Sequence, residues 1–313
     1  VLAVWLYLYA DYQRVDFEMK VLLTGAVGRL GSCVCRLLGE QGIDFVAVDR
    51  VSDDSLDYPV KVVDLSSSES IDYLLEGVDV VVHFANYTNF TSASPEEVYS
   101  VNVSMNMRMF SAAARQGCQR VIFASSVQVL DGQLPTMERH SHPNFLPYLP
   151  LDSEMPAIPR NTYALSKHAG ENLLEYFSKT AGLTCVAIRF PLLIDSGMLE
   201  SSIEHGGMPR GNPYDAYTYL PVYSAAEAVV CATQANVEGY QCYFVASKDN
   251  LEQKSAQAVI ADGIQGVPCK KPVDELDSLV DCSRVEAELG WRQPQSMKES
   301  FAKYKNLDTI RPY

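Results

Sequence analysis

Thr24-Gly25-Ala26-Val27-Gly28-Arg29-Leu30-Gly31 follows the short apolar run Lys20–Thr24 and leads into the helix-like stretch Leu30–Gln41. The glycine spacing is GxxGxxG. A strand, a glycine turn and a helix in direct succession form a site for the phosphates of a dinucleotide. Without side chains, Gly25 and Gly28 let the turn bend sharply and bring backbone close to a pyrophosphate. Gly31 lets the helix lie against the strand. The helix start, with Val27, Arg29 and Leu30 around it, presents N–H donors and the positive end of a helix dipole.

Reading outward, apolar runs and helical stretches alternate. Strands are predicted at Asp44–Asp49, Val60–Asp64, Val78–Phe84, Arg120–Ser125 and Thr184–Arg189. Helices are predicted at Ile71–Leu75, Pro95–Gln116 and Asn161–Thr180, the second with Pro at its first turn. Strand runs without period-2 alternation are covered on both faces. Alternation with helices implies parallel pairing through right-handed crossovers. The fold class is therefore α/β: a doubly wound parallel, Rossmann-type sheet over residues 19–190. After Phe190 the pattern loosens into a smaller substrate-binding lobe, 191–313. It holds helices at Ala225–Gln234, Leu251–Ile264 and Ser283–Leu289 and a strand at Tyr240–Ala246, and part of it returns to the sheet. Val1–Ala10 is apolar but too short to span a bilayer, with no basic flank and no small-residue cleavage site. Met19 directly precedes the first strand, so residues 1–18 read as an extension outside the fold, with a packing or dimer-contact arm as the alternative.

The chain has 313 residues, 47% hydrophobic and 20% charged, enough for a packed core. Lys and Arg total 25 against 39 Asp and Glu, a net charge of −14. That sign argues against nucleic acid or an anionic membrane as partner. The eight cysteines form no CxxC pair and no Cys/His cluster. They read as free thiols in a reducing, cytoplasmic setting, with no metal site.

Two groups of residues carry the chemistry. Asp49 closes the second strand 24 residues after Gly25, where a carboxylate accepts the adenosine ribose hydroxyls and repels a 2′-phosphate. This favours NAD over NADP, although the adjacent Arg50 offers a phosphate partner. Asp64-Leu65, at the end of the third strand, are placed to contact the adenine. Further along, Tyr163 and Lys167 stand at i and i+4 on one helix face. Ser125-Ser126 end a strand 37 residues before Tyr163, counted from Ser126, at the sheet edge where parallel folds hold ligands. A tyrosine with a pKa near 10 is a poor base at neutral pH. A nearby ammonium and a positive nicotinamide ring lower that value. Ser126 holds the substrate oxygen, and Lys167 also reaches the nicotinamide ribose.

These segments, with VVHFAN (81–86), VNVSMN (101–106), SSVQV (125–129), YALSK (163–167) and ELGWRQPQSMKESF (288–301), resemble the extended short-chain dehydrogenases/reductases, the NAD-dependent epimerase/dehydratase family. The resemblance covers about residues 19–305. It implies bound NAD and hydride transfer at a carbinol carbon of a sugar or sugar derivative. Tyr163 matches the family's base, Lys167 its partner, Ser126 its substrate-binding hydroxyl and Asn102 a helix asparagine near the active site. Phe84, Ala85 and Asn86 match the turn over the cofactor, and Phe190-Pro191 a loop near the nicotinamide. Val127 and Gln128, beside the serine, and Tyr87 are candidate substrate contacts, with Tyr217 and Tyr219 as possible sugar-stacking rings. The resemblance further implies a homodimer through the helices near 95–117 and 161–180.

Three departures bear on the substrate. Val129-Leu130-Asp131 stands where the family has VYG. Only 28 residues, Pro191–Thr218, occupy the segment that nucleotide-sugar members make longer, and Arg210 is its one arginine, outside the usual diphosphate-gripping setting. Tyr219–Ser224 replaces the family's hVxD. A compact lobe of this kind resembles the smaller members, such as uronate dehydrogenases. The alternatives are a nucleotide-sugar epimerase or dehydratase, and a non-enzymatic NAD sensor. A dehydratase needs a carboxylate beside the serine, which Val127-Gln128 does not supply. A sensor would be expected to lack the tyrosine or the lysine.

Overall fold

A computed structural model of the chain describes residues 19–304 except 68, 90, 131–145, 206–208 and 210. The extension at 1–18 and Arg210 lie outside the described residues. Seven strands form one parallel sheet: β1 (Lys20–Thr24), β2 (Asp44–Asp49), β3 (Val60–Val62), β4 (Val80–His83), β5 (Arg120–Ser126), β6 (Thr184–Phe190) and, returning from the C-terminal part, β9 (Tyr240–Phe244). Their order is β3-β2-β1-β4-β5-β6-β9, so the direction of winding reverses between β1 and β4. Helices α1 (Arg29–Glu40) and α5 (Val222–Gln234) pack together on one face. Helices α2 (Pro95–Arg115) and α3 (Thr162–Ala181) pack together on the other. Each face has its own buried cluster. Val21, Leu23, Val82 and Ile188 face α1 and α5, while Leu22, Val81, Val121 and Ala187 face α2 and α3. This two-sided burial is why the strands read as continuous apolar runs.

Local chemistry fixes the helix that carries the tyrosine. Asn161 caps α3 by accepting the Ala164 amide at 2.7 Å, and Gly182, in the left-handed region at φ 69°, ends it. The lobe departs from expectation in several places. Its helix α6 spans Ala256–Gly263 rather than beginning at Leu251, because Ser255 supplies the cap by accepting the Ala258 amide. Helix α5 starts three residues earlier than expected. A parallel pair, β7 (Leu192–Ile194) with β8 (Tyr219–Pro221), and the helices α4 (Ser196–Glu204) and α8 (Met297–Tyr304) were not predicted. Three-residue strands, one of them ending in proline, are too short to show a period. Helix α7 (Ser283–Leu289) ends at Gly290 as expected. Among the described residues no helix is long and apolar enough to cross a membrane.

Candidate active site

The winding reversal opens a cavity of about 880 Å³ at the carboxyl ends of the strands, within the size range of ligand pockets. At one end stands the glycine turn. Gly25 has φ 76°, and a Cβ there would lie 3.1 Å from Ala85 N and from Phe84 C and Cβ. A Cβ at Gly31 would sit 2.0 Å from the Gly25 carbonyl oxygen, so only glycine lets α1 start this close to β1. Gly25, Gly28, Arg29, Leu30 and Gly31 all line the cavity. Val27 lies behind the wall, where its amide donates to Asp49 Oδ2 at 3.0 Å. Asp49 thus ties down the glycine turn as well as facing the cavity, a link its sequence position does not reveal. Its other oxygen accepts the Arg50 amide at 2.7 Å. Arg50, Asp64 and Leu65 line the same end. The Asp64 carboxylate is engaged by Ser66, whose hydroxyl and amide hold its pKa below the ordinary value. Arg29 reaches the lobe, 3.2 Å from Asp195.

At the other end the cavity is lined by Ser126, Val127, Gln128, Tyr163, Lys167, Phe190 and Pro191, with Phe84, Ala85, Asn86 and Tyr87 between. Ser126 ends β5, and its hydroxyl accepts the Gln128 amide at 3.2 Å, starting a single 3-10 turn, Val127–Val129. Gln128 Oε1 accepts from Asn161 Nδ2 at 2.9 Å, fastening that turn to the start of α3. Lys167 Nζ donates to Asn86 Oδ1 at 3.0 Å and lies 4.8 Å from the Phe123 ring centroid.

Burial sets the electrostatics of the tyrosine and the lysine. Burial pushes the Tyr163 phenol up to about 12, and the Ser126 hydroxyl pulls the other way. Lys167, 5.6 Å from the ring centroid, does not offset that burial, and burial pulls the lysine itself down to about 7. In the free protein the desolvation of both groups outweighs their coupling.

Asn102, on α2, bonds to the cavity-lining Tyr87. It is fully buried behind the cavity wall. Its Oδ1 accepts the Tyr87 amide at 2.7 Å, and its Nδ2 donates to Ser166 Oγ at 3.0 Å and Tyr87 O at 3.2 Å. With both ends of the amide occupied, Asn102 holds Tyr87 against α3. Tyr219 is fully buried, its hydroxyl bonded to Asp249, and so is packing rather than a stacking surface. Tyr217 packs against Gly211 and Gly263.

Two buried networks were not anticipated. Thr24 Oγ1 accepts the Phe84 and Ala85 amides at 3.3 Å each, which directs its proton to His83 Nδ1 at 2.7 Å. His83, pushed down to about 3 by burial and by Lys167, is neutral. Its Nε2–H therefore donates to Asn106 Oδ1 at 3.2 Å, which also accepts Asn86 Nδ2 at 3.0 Å. The chain Thr24–His83–Asn106–Asn86–Lys167 joins the strand before the glycine turn to the lysine. In the second network, Arg189 on β6 grips Glu171 on α3 with two bonds of 2.8 Å. Ser125 donates to the same carboxylate at 2.6 Å.

A glycine turn and a buried phenol–hydroxyl pair at opposite ends of one cleft are the layout of the short-chain dehydrogenase/reductase class. A family model described as the NAD dependent epimerase/dehydratase family matches residues 21–200. The chain belongs to that family. It is 31% identical over 179 residues to the uronate dehydrogenase of Pseudomonas syringae pv. tomato, a match covering 54% of this chain and 58% of that protein. Among solved structures, a short-chain dehydrogenase/reductase superfamily protein from Agrobacterium tumefaciens with bound NAD superposes with TM-score 0.67 at 18% identity, covering 91% of this chain and 95% of its own. The UDP-glucose 4-epimerase of Thermotoga maritima with UDP-glucose superposes with TM-score 0.66 at 17% identity, covering 92% and 100%.

The cleft fits the family's NAD. The bare glycine turn faces it, the first turn of α1 opens on it, and Asp49, the acidic residue that ends β2, lines the same end.

Proposed function

We propose that the protein is an NAD-dependent oxidoreductase or epimerase acting on a carbinol carbon of a sugar or sugar derivative, with Tyr163 as base. One observation supports this above the others: Tyr163, Ser126 and Lys167 gather at one end of a cavity whose other end is the glycine turn. NAD, when bound, supplies the hydride acceptor. Gly25, Gly28, Arg29 and Asp49 hold its phosphates and ribose, and Asn86 and Lys167 hold its nicotinamide end. Ser126 orients the substrate hydroxyl, and the Tyr163 oxygen takes its proton. A phenol buried this deeply needs added positive charge to act near neutral pH. The low-dielectric wall makes any such charge count for more than it would in water.

Asn102 serves as a positioning residue. Val127 and Gln128 border the substrate side, and Tyr87, its hydroxyl 2.9 Å from Glu97, borders the entrance. We assign the nucleotide to residues 19–190 and substrate choice to the lobe. The eight free thiols suit a reducing cytoplasm. We also assign a homodimer to the exposed faces of α2 and α3.

The test is a Tyr163→Phe variant with NADH absorbance and product analysis on a panel of aldoses, uronates and nucleotide sugars. Loss of turnover by about 100-fold or more with NAD affinity retained is expected; turnover at the wild-type level removes Tyr163 as base. Net NADH marks a dehydrogenase, and altered stereochemistry without NADH marks an epimerase.

A further inference from the structure

His83 closes β4 beside β1, where the winding reverses, and is fully buried. It lies behind the cavity wall, together with Thr24 and Asn106, whereas Asn86 and Lys167 line the cavity. Both ring nitrogens are engaged, Nδ1 by Thr24 Oγ1 and Nε2 by Asn106 Oδ1. A polar ring in this position is held by directed bonds as well as by packing.

The direction of those bonds is forced from both ends. A hydroxyl has one proton and two lone pairs. Thr24 Oγ1 uses its lone pairs on the Phe84 and Ala85 amides, so its proton goes to His83 Nδ1 and the ring proton sits on Nε2. Asn106 must then turn its oxygen to the ring, and the same oxygen accepts Asn86 Nδ2. That leaves the Asn86 carbonyl facing Lys167 Nζ, which as an ammonium can only donate. Asn106 shows what this order costs. Its Oδ1 takes two bonds, while its buried Nδ2 has no partner among the described residues. An unpartnered buried amide nitrogen is unfavourable, so the groups at the two ends of the chain impose the order.

The imidazole also reaches the lysine by a second route. It stacks on the Phe123 ring at 6.3 Å and 22°, and Lys167 Nζ lies 4.8 Å from the centroid of that same ring. Phe110 meets the imidazole edge-on at 5.8 Å. Gly170, three residues beyond Lys167, lets α3 come this close. A Cβ there would stand 2.6 Å from Phe123 and 2.9 Å from Asn106 Nδ2.

We propose that His83 is a positioning residue: as an Nε2–H imidazole it holds, through Asn106, the Asn86 carbonyl against Lys167 Nζ, and so sets where the lysine meets the nicotinamide end of the dinucleotide. This rests on the proposed placement of that end at Lys167 and adds a residue that touches neither cofactor nor substrate. Without the ring donor, Asn106 can turn over to present Nδ2, the Asn86 amide turns with it, and an N–H then faces the ammonium.

The test compares wild type with His83→Phe, which keeps an aromatic ring between Phe110 and Phe123, and with Asn106→Leu, which keeps the imidazole and removes the amide. ADP probes the glycine-turn end alone, and its affinity reports an intact fold. NAD affinity is expected to fall about 10-fold in both variants while ADP affinity stays within about twofold of wild type. Nitrogen-15 spectra of wild type, with His83 assigned by through-space contact to Phe110 and Phe123, should show a neutral ring protonated at Nε2. The Lys167 Cε resonance, assigned by its loss in Lys167→Met, should move in Asn106→Leu; a role in packing alone would leave it in place. A ring protonated on Nδ1, or on both nitrogens at neutral pH, overturns the proposal. So does an Asn106→Leu variant with the wild-type lysine resonance, or with a wild-type ratio of NAD to ADP affinity where Lys167→Met lowers that ratio. If Lys167→Met leaves the ratio unchanged, the placement of the nicotinamide end fails, and the histidine spectrum and lysine resonance alone decide whether His83 positions the side chain.

Discussion

Lys167 keeps its ammonium among aromatic carbon, with Asn86 Oδ1 accepting from it at 3.0 Å and the Phe123 and Tyr163 ring centroids at 4.8 and 5.6 Å. Burial holds its pKa at about 7, against an ordinary lysine value of about 10.4 in the unfolded chain. Between those values the unfolded state binds more protons than the folded one, so stability rises with pH. Below pH ~7 both states are protonated, and the full penalty of a buried charge is present. A Lys167→Met variant, apolar and of similar length, is therefore expected to melt higher than wild type at pH 6. Its advantage should shrink by pH 10, while its NAD affinity falls. Thermal melts across that range with parallel NAD titrations check this, and a variant that melts lower at pH 6 contradicts the assigned penalty. A side chain kept at such a cost in stability is characteristic of a functional site.

Across elements, the Glu171–Arg189 pair staples α3 to β6 and, through Ser125, to the end of β5. It sits one turn beyond Lys167 and thereby fixes the distance between the tyrosine helix and the serine strand. Burial opposes ionisation of Glu171, but Arg189, with His168 and Ser125, overrides it and holds the carboxyl down at about 2. Its contribution is complete above the unfolded value near 4.3 and is lost as pH falls through 2. Removing the charge leaves a buried guanidinium unpaired, so Glu171→Gln should cost about 3–5 kcal/mol at pH 7. Urea titration checks the loss, and the gap from wild type should narrow toward pH 2. None of this was legible in the sequence. Glu171 and Arg189 are 18 residues apart on different elements, and neither interrupts a pattern. The glycine turn, Asp49 and the Tyr163–Lys167 spacing were legible because each is local: a strand end, a turn or one helix face. Asn102 was visible as a residue, yet its partners Tyr87 and Ser166 arrive from two other segments, so its role was not.

At the scale of the molecule, four of the nine exposed large apolar side chains among the described residues lie on one pair of helices. Tyr99 and Met107 on α2 are 37% and 44% exposed, and Leu165 and Tyr176 on α3 are 43% and 54% exposed. The two helices pack side by side over the same sheet face, so their outer sides are neighbours. A second copy docked there in two-fold register would bury both helices' outer faces, the kind of surface from which a stable interface of about 1,200–2,000 Å² is built. Leu165 lies two residues from Tyr163, so docking would also restrain the helix turn that carries the base. Opposing association is the net charge of −14 on each copy, whose mutual repulsion salt screens over about 10 Å at 0.1 M. The dimer should therefore tighten as salt rises, the reverse of an interface held by ion pairs. Sedimentation at two salt concentrations is expected to show twice the chain mass, with a larger dimer fraction at the higher one. Met107→Lys with Leu165→Lys should yield monomer whose NAD affinity stays near wild type, because both positions lie outside the cavity. A wild-type chain that sediments as a monomer at every salt concentration, or a double variant that remains dimeric, removes this face as the interface.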